Sequence, residues 1–348
     1  MVSMLIIAWN SQHFHSAVEE LQNEYPNFKI TVKDVQSLNR TNQLPDTTQY
    51  DVIIINQMGK GDWEREIIKH IKDKIFIAFK SSVDEYSTIP KEDYEILNLY
   101  LAYDGIENLK NFVKFIMRYF DESIDVEKPK QMPWNGIYHP KGGFFEDVKK
   151  YLRWYEKYLN YRDLVGLLFY RARYLFKNTV HIDMLINELE KRKIGVIPVF
   201  TMTFPDKSVG MSGIEEAIKR YFFVDDKPII SLMLWGLYFR VSRDIELLKQ
   251  LDIPILNIIE IYANSPEEWK NNPQGLNIAT ISMAVALPEF NGVINPTVFS
   301  AEIRTPTILK SVPIEERIKR IAEQAERWLK LRRMDNLDKR VAIVLHIS

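Results

Sequence analysis

The chain contains no cysteine. That removes disulfides, thiolate zinc sites, iron–sulfur clusters and cysteine nucleophiles together. It has almost no net charge, with 46 Lys and Arg against 47 Asp and Glu, so no global basic field is available to hold nucleic acid. No apolar run approaches the roughly 18 residues that a membrane-spanning helix needs. The apolar start at Met4–Trp9 is too short for a signal-peptide core and has no basic residues before it. A cytoplasmic protein is expected, without a membrane span or a nucleic-acid partner. Only 13 glycines occur, and none belongs to a GxxxxGK[ST] loop, a GxGxxG turn after a strand or a GxSxG elbow. Gly59-Lys60-Gly61 is the nearest approach to a phosphate loop. The six histidines include no HExxH, and His13-x-His15 opens a helix with its two side chains on opposite faces. No stable metal site is expected.

What is present is an ordinary core. Of 348 residues, 46% are hydrophobic, which suits about two domains at roughly 150 residues each. Strand and helix signals alternate from the start. Leu5–Trp9, Lys29–Val35, Asp51–Asn56 (DVIIIN) and Lys74–Phe79 (KIFIAF) read as strands, and Ala17–Leu21, Asp62–Ile71 and Leu109–Phe120 as helices. The second half repeats the alternation. Its strands are Leu164–Tyr170, Gly195–Phe200, Pro228–Trp235 and Pro254–Glu260, separated by helical stretches. Ser265-Pro266-Glu267-Glu268 is a helix start, and Leu276–Leu287 reads as a buried helix. Phe144–Leu159 reads as one amphipathic helix, and a long helix runs to Arg333. Arg340–His346 (RVAIVLH) reads as a buried strand, and so short an ending after a core strand points to a longer parent chain.

The pattern predicts an α/β protein of two doubly wound, mainly parallel-sheet domains of flavodoxin or Rossmann type. The first covers 1–122. A connector loop and helix, rich in proline and glycine, covers 123–160, and the second domain covers 161–348. In such sheets ligands bind beyond the carboxyl ends of the strands. In the second half those ends carry Tyr170-Arg171, Thr201, Thr203, Trp235-Gly236 and Glu260. Arg171 suits a ligand carboxylate. Glu260 suits a proton, a metal or a pairing with Arg171, and an ordinary Arg171–Glu260 ion pair at the sheet rim is an equally open reading. Glu289 follows an apolar helix and precedes the Asn291-Gly292 turn, where partial desolvation would raise its pKa and fit it to accept protons. His139 stands in an apolar loop as a candidate ligand contact or a hydrogen-bonded loop histidine.

Several segments in order carry a resemblance. They are Gly136–Pro140 (GIYHP), Val165–Phe200, PILNIIE with SPEEW, Ile281–Glu302 around ALPE, and Leu99–Leu109. Together they resemble the large subunit of cobaltochelatase (CobN type) and the H subunit of magnesium chelatase. The resemblance implies a tetrapyrrole-binding subunit, with Co2+ or Mg2+ as substrate metal. ATP is then used by separate AAA+ partner subunits and is not bound here, in keeping with the missing P-loop. The form Phe169-Tyr170-Arg171-Ala172 is more similar to the cobalt branch. Glu289 and His139 become the candidate catalytic residues and transient metal contacts; Arg171, Tyr170, Glu260 and Asn291 become candidate substrate contacts. Inserting a divalent metal removes two pyrrole protons, so a base is needed. Members of this family continue well past the strand at 340–346, so a separate C-terminal half is an expected partner and this chain alone is not expected to suffice. The alternative is a non-catalytic ligand-binding or subunit-docking module.

Overall fold

β-branched runs become buried strands, and the amphipathic stretches between them become the helices that cover the sheets. The computed structural model describes residues 1–41, 44–57, 61, 63–239, 246–262, 265–304 and 309–344. Two units separate, Met1–Met132 with Arg304–Leu309, and Pro133–Ile303 with Lys310–Ser348.

The first unit contains β1 (Val2–Ala8), α1 (Ser11–Glu24), β2 (Phe28–Asp34), α2 (Val35–Thr41), β3 (Val52–Asn56), α3 (Trp63–Ile68), β4 (Ile75–Phe79), α4 (Lys91–Tyr103) and α5 (Ile106–Met117). Its strands are parallel in the order β2-β1-β3-β4, with Met4 opposite Val52 and Val52 opposite Ile75. Alternate side chains face opposite layers. Leu5, Ile7, Ile53 and Ile55 pack with Val35, Leu38, Trp63 and Ile67. Phe112 of α5 meets Phe14 of α1 and Phe79 of β4 edge to face, at 5.8 and 5.9 Å. The weak phosphate-loop match at 59–61 falls mostly outside the described residues.

The second unit contains β5 (Gly136–His139), β6 (Gly143–Phe145), α6 (Val148–Tyr158), β7 (Asp163–Tyr170), α7 (Arg171–Leu175), α8 (Val180–Lys191), β8 (Ile194–Thr201), α9 (Ile214–Phe222), β9 (Phe223–Val224), β10 (Lys227–Pro228), β11 (Leu232–Trp235), α10 (Glu246–Leu251), β12 (Ile255–Ile261), α11 (Pro266–Asn271), α12 (Ile278–Thr280), a π-turn (Ile281–Ala286), α13 (Leu287–Glu289), β13 (Val293–Arg304), β14 (Leu309–Pro313) and α14 (Glu315–Arg333). Its large sheet runs β14-β13-β12-β11-β7-β8-β5-β6. The five strands β8-β7-β11-β12-β13 are mutually parallel. Counted within the unit they stand in the flavodoxin-like order 2-1-3-4-5, whose switch point lies between β7 and β11. Val165, Leu167 and Phe169 face α8 and α14, while Leu168, Met233 and Trp235 face α6, α9 and α10. Each such fully buried side chain contributes about 1.5–3 kcal/mol of transfer free energy. At the switch point a side chain on Gly236 is excluded, because its Cβ would stand 2.6 Å from the Leu168 carbonyl oxygen.

Three expectations change. The stretch read as connector divides, with 123–132 counted in the first unit and 133–160 supplying β5, β6 and α6 to the second sheet. Phe144 lies in a hairpin strand instead of a helix, because Gly143 at φ +75° turns the chain back. The strand expected over 340–346 does not form over its described part, since Arg340–Val344 are exposed and pair with no strand among the described residues. An apolar alternation specifies faces, but a strand also needs an open edge to pair with.

Candidate functional site at the carboxyl ends of the second sheet

β7 passes directly into α7, so the residues after Tyr170 follow helical spacing. Two residues along a helix are about 200° apart. Arg171 and Arg173 therefore leave on opposite sides. Arg171 is 2% exposed, donates Nε–H to the Pro133 carbonyl at 2.7 Å and stacks over Trp134 at 4.8 Å. Arg173 instead turns to the sheet. Its Nε donates to Glu260 Oε2 at 2.9 Å, and its second amino group lies 3.4 Å from Glu302 Oε1. The expected Arg171–Glu260 pair is thus replaced by a buried Arg173–Glu260–Glu302 network, set inside the protein and not at a rim.

His181, in the first turn of α8, places Nε2 2.7 Å from Glu260 Oε1. Its Nδ1 and the hydroxyl of Ser300, opposite Glu260 in the β12–β13 register, are buried without hydrogen-bond partners. Burial would raise the carboxyl of Glu260, but Arg173 and His181 outweigh it and hold the group far below the usual carboxylate range. Arg173 is held charged by the same partners, against its own desolvation.

Tyrosines wrap this network. Tyr262 donates to Glu260 Oε2 at 3.1 Å and lies under the Arg173 guanidinium. The Tyr238 hydroxyl donates to the Glu260 carbonyl, and Tyr238 N–H donates to the Tyr170 hydroxyl at 2.8 Å. Burial pushes the Tyr170 hydroxyl up to about 12. The next residue, Phe239, meets the half-exposed Phe204 at 6.1 Å. A cleft of about 490 Å3 beside β8, lined by Thr203, Lys207, Met211, Ser212 and Glu215, opens on this side of the sheet.

Glu289 ends a helix that is neither regular nor buried. Its core is the π-turn at 281–286; Ile278 is 73% and Phe290 66% exposed, and Glu289 is exposed. The desolvation expected for Glu289 is therefore absent, because only one face of the apolar run, at Thr280, Ala284 and Pro288, meets the core. Asn291 is buried, and its N–H donates to the Pro288 carbonyl at 2.8 Å.

His139 belongs to the other end of the sheet. β5 runs antiparallel to β8, with Gly136 opposite Phe200 and Ile137 opposite Val199, so His139 points back toward the amino-terminal half of β8. Its Nδ1 accepts the Lys141 N–H at 3.2 Å, which assigns the ring proton to Nε2, 2.9 Å from Glu190 Oε1. Tyr155 and Tyr158 also donate to Glu190, at 2.9 and 3.2 Å. Burial opposes ionisation of Glu190, and the donors from His139 and Tyr155 outweigh it, so its pKa falls. A larger cleft, about 710 Å3, lies here beside Lys141, Tyr158, Met184 and Asn187. We favour the smaller carboxyl-end cleft as the site, since ligands of doubly wound sheets bind beyond that end.

Of the residues singled out in the sequence, Tyr170 and Glu260 come together. Arg171 and His139 are engaged elsewhere, and Glu289 and Asn291 lie on the π-turn helix and the turn after it. Arg173, His181, Glu302 and Asn257 were not anticipated. An R-x-R at a strand end was the available signal for Arg173. Among the described residues, no group of three or more His, Asp or Glu side chains is arranged to hold a metal ion.

The fold is that of a doubly wound α/β protein with an ion network and an aromatic ledge at the carboxyl ends of its second sheet. The chain belongs to the CobN/Magnesium Chelatase family, whose model matches residues 98–348. It is 30% identical over 95% of its length to an uncharacterized protein of Methanocaldococcus jannaschii, covering 27% of that protein. It is 28% identical over 69% of its length to the chloroplastic magnesium-chelatase subunit ChlH of Oryza sativa subsp. indica, covering 18% of it. The catalytic subunit of cobaltochelatase from Mycobacterium tuberculosis shares the fold, with a TM-score of 0.60 at 18% identity over 97% of this chain and 28% of that one. The chain thus spans less than a third of each. No described helix is long and apolar enough to cross a membrane.

Proposed function

We propose that this chain forms part of the tetrapyrrole-binding large subunit of a metal chelatase, working in the cytoplasm with AAA+ subunits that hydrolyse ATP. The observation that carries the reading is family membership over 98–348, joined to the ledge and cleft at the carboxyl ends of the second sheet. The substrate metal is cobalt rather than magnesium, a reading supported by Phe169-Tyr170-Arg171-Ala172.

The reaction exchanges two macrocycle N–H protons for one divalent cation. Glu289, an exposed carboxylate, accepts one of those protons. Phe204, Phe239 and Phe290 offer apolar surface to the macrocycle. Tyr170 and Glu260 act from beneath by holding the ledge, and Asn291 fixes the turn after Glu289. Arg171 and His139 brace the walls, since their polar atoms are already engaged. A second reading, a ligand-holding or docking module without turnover of its own, is supported by the exposed apolar side chains Phe204 and Phe290.

Titration with a free-base porphyrin and with a hydrogenobyrinic-acid-type corrinoid, followed by ligand absorbance and by the fluorescence of the seven tryptophans, tests the binding claim. Saturable quenching is expected, retained in Glu289→Gln. Flat titrations with both ligands would sink it. Cobalt insertion by the complete large subunit together with the AAA+ subunits separates the two readings, because a pure module leaves insertion unaffected by Glu289→Gln.

A further inference from the structure

Pro288 dictates where the helix before Glu289 widens. Proline has no N–H. In α register the Ala284 carbonyl would receive that N–H, and in the wider π register the Met283 carbonyl would. Pro288 thus frees one carbonyl in either register, and the step from π back to α spacing at Leu287–Glu289 frees the other. The π register itself is closed by Leu287 N–H donating to the Ser282 carbonyl.

Each orphan is met from outside the helix. Phe239 N–H donates to the Met283 carbonyl at 2.8 Å. Asn257 Nδ2 donates to the Ala284 carbonyl at 2.7 Å. Both donors are held against a cost. Asn257 is a polar side chain, 2% exposed, within the otherwise apolar start of β12. Phe239 adopts φ +71°, a region that bulky residues rarely enter. A polar residue buried in a strand and a strained backbone both converge on one break in one helix.

We infer that Asn257 is a positioning residue: by bonding the Ala284 carbonyl, which Pro288 leaves without a helical donor, it ties the helix before Glu289 to β12 and so sets where Glu289 is presented. The inference rests on the reading of Glu289 as proton acceptor. Without that tie the buried Ala284 carbonyl loses its donor, and the helix end shifts away from β12 to find another. Glu289 then leaves the ledge while the fold around it survives.

A double-mutant cycle separates this from a merely structural role. Asn257→Leu keeps the shape and removes the donor. Pro288→Ala supplies a local N–H to the Ala284 carbonyl and leaves the Asn257 tie to β12 in place. Asn257→Leu is expected to lower the folded-to-unfolded ratio roughly tenfold or more in urea unfolding, because a buried carbonyl loses its partner. Adding Pro288→Ala restores most of that loss.

Cobalt insertion into a free-base porphyrin, in the complex with the other chelatase subunits, shows a different pattern. It is expected to fall roughly tenfold or more in Asn257→Leu, a loss of about that factor per 1.4 kcal/mol of barrier, and to stay near the wild-type rate in Pro288→Ala, where the tie to β12 remains. It stays low in the double variant, and the porphyrin Kd changes little throughout. Additive stability effects would overturn the shared carbonyl. Wild-type insertion in Asn257→Leu, with Glu289→Gln inactive, would overturn the positioning role alone. Undiminished insertion in Glu289→Gln would overturn the reading of the site, and the positioning role with it.

Discussion

Replacing Arg173 by Met is the sharpest test of the buried network. The guanidinium is the cation between Glu260 and Glu302, whose side chains are 5% and 1% exposed, and its own side chain is 9% exposed. Met fills much of the volume, so packing changes little and the charge term dominates. Removing one partner of a buried pair costs about 3–5 kcal/mol, because it strands the other charge. Two carboxylates would lose their guanidinium here, while Tyr262 and His181 stay beside Glu260. The pH dependence gives the stronger signature. In the native chain the carboxyl of Glu260 is depressed. Its contribution is complete above the unfolded value of about 4.3 and is lost only as pH falls through the far lower folded value. In Arg173→Met the charge that most offsets the burial of Glu260 is gone, and its pKa rises from the depressed native value. The variant is then penalised at neutral pH and relieved as pH falls and the carboxyl takes up a proton. The nearby hydroxyls of Tyr170, Tyr238 and Tyr262 are pushed up and stay neutral throughout. Denaturant unfolding at pH steps from about 8 to about 5 spans the ordinary imidazole range and approaches that of carboxylates. It can be read through Trp134, Trp154, Trp235, Trp269 and Trp328, all in the second unit. The gap between native chain and variant should narrow steadily on acidification. A gap below about 1 kcal/mol, the scale of an exposed pair, or one independent of pH, refutes the reasoning.

Three further outcomes are expected. Tyr155→Phe removes the acceptor of the Val196 N–H and a donor to Glu190; it should cost about 1–3 kcal/mol in urea unfolding and leave porphyrin affinity unchanged, since it acts at the opposite end of the sheet. Gly236→Ala forces a methyl group against the Leu168 carbonyl; a loss of about 1–3 kcal/mol is expected, together with weaker porphyrin binding because the switch point itself is displaced. His139→Asn should lower the unfolding midpoint but leave cobalt insertion per folded complex unchanged, and a selective loss of insertion would return His139 to the chemistry.

What the sequence discloses is local, and what it conceals is pairing at a distance. DVIIIN and KIFIAF become strands because a fully buried parallel strand is an apolar run and nothing more. Ser265-Pro266-Glu267-Glu268 forms a reciprocal capping box, since all of its parts lie within one turn. Arg171 stands out over Arg173 in the sequence because the strand end is legible and the immediate helical turn after it is not. Two residues of helix decide which arginine meets Glu260, 87 positions away from Arg173. The partner of His139 is Glu190, 51 positions off, and no periodicity points to it. The apolar run before Glu289 looks the same in α and π registers. Pro288 signals a break, but not that Phe239 and Asn257 supply the missing donors.

The two ends of the second sheet show why those concealed pairings matter for function. At the amino-terminal end, both oxygens of Glu190 and both ring nitrogens of His139 have partners. Such a closed network fixes geometry and has little left to offer a ligand. At the carboxyl end, His181 Nδ1 and the Ser300 hydroxyl are buried and unmatched. Native proteins rarely keep such groups without a use for them. The same sheet therefore carries its rigidity at one end and its unspent polar capacity at the other. That asymmetry favours chemistry beyond the carboxyl ends of β7, β11 and β12, and gives the His139 cluster the task of holding the opposite edge still.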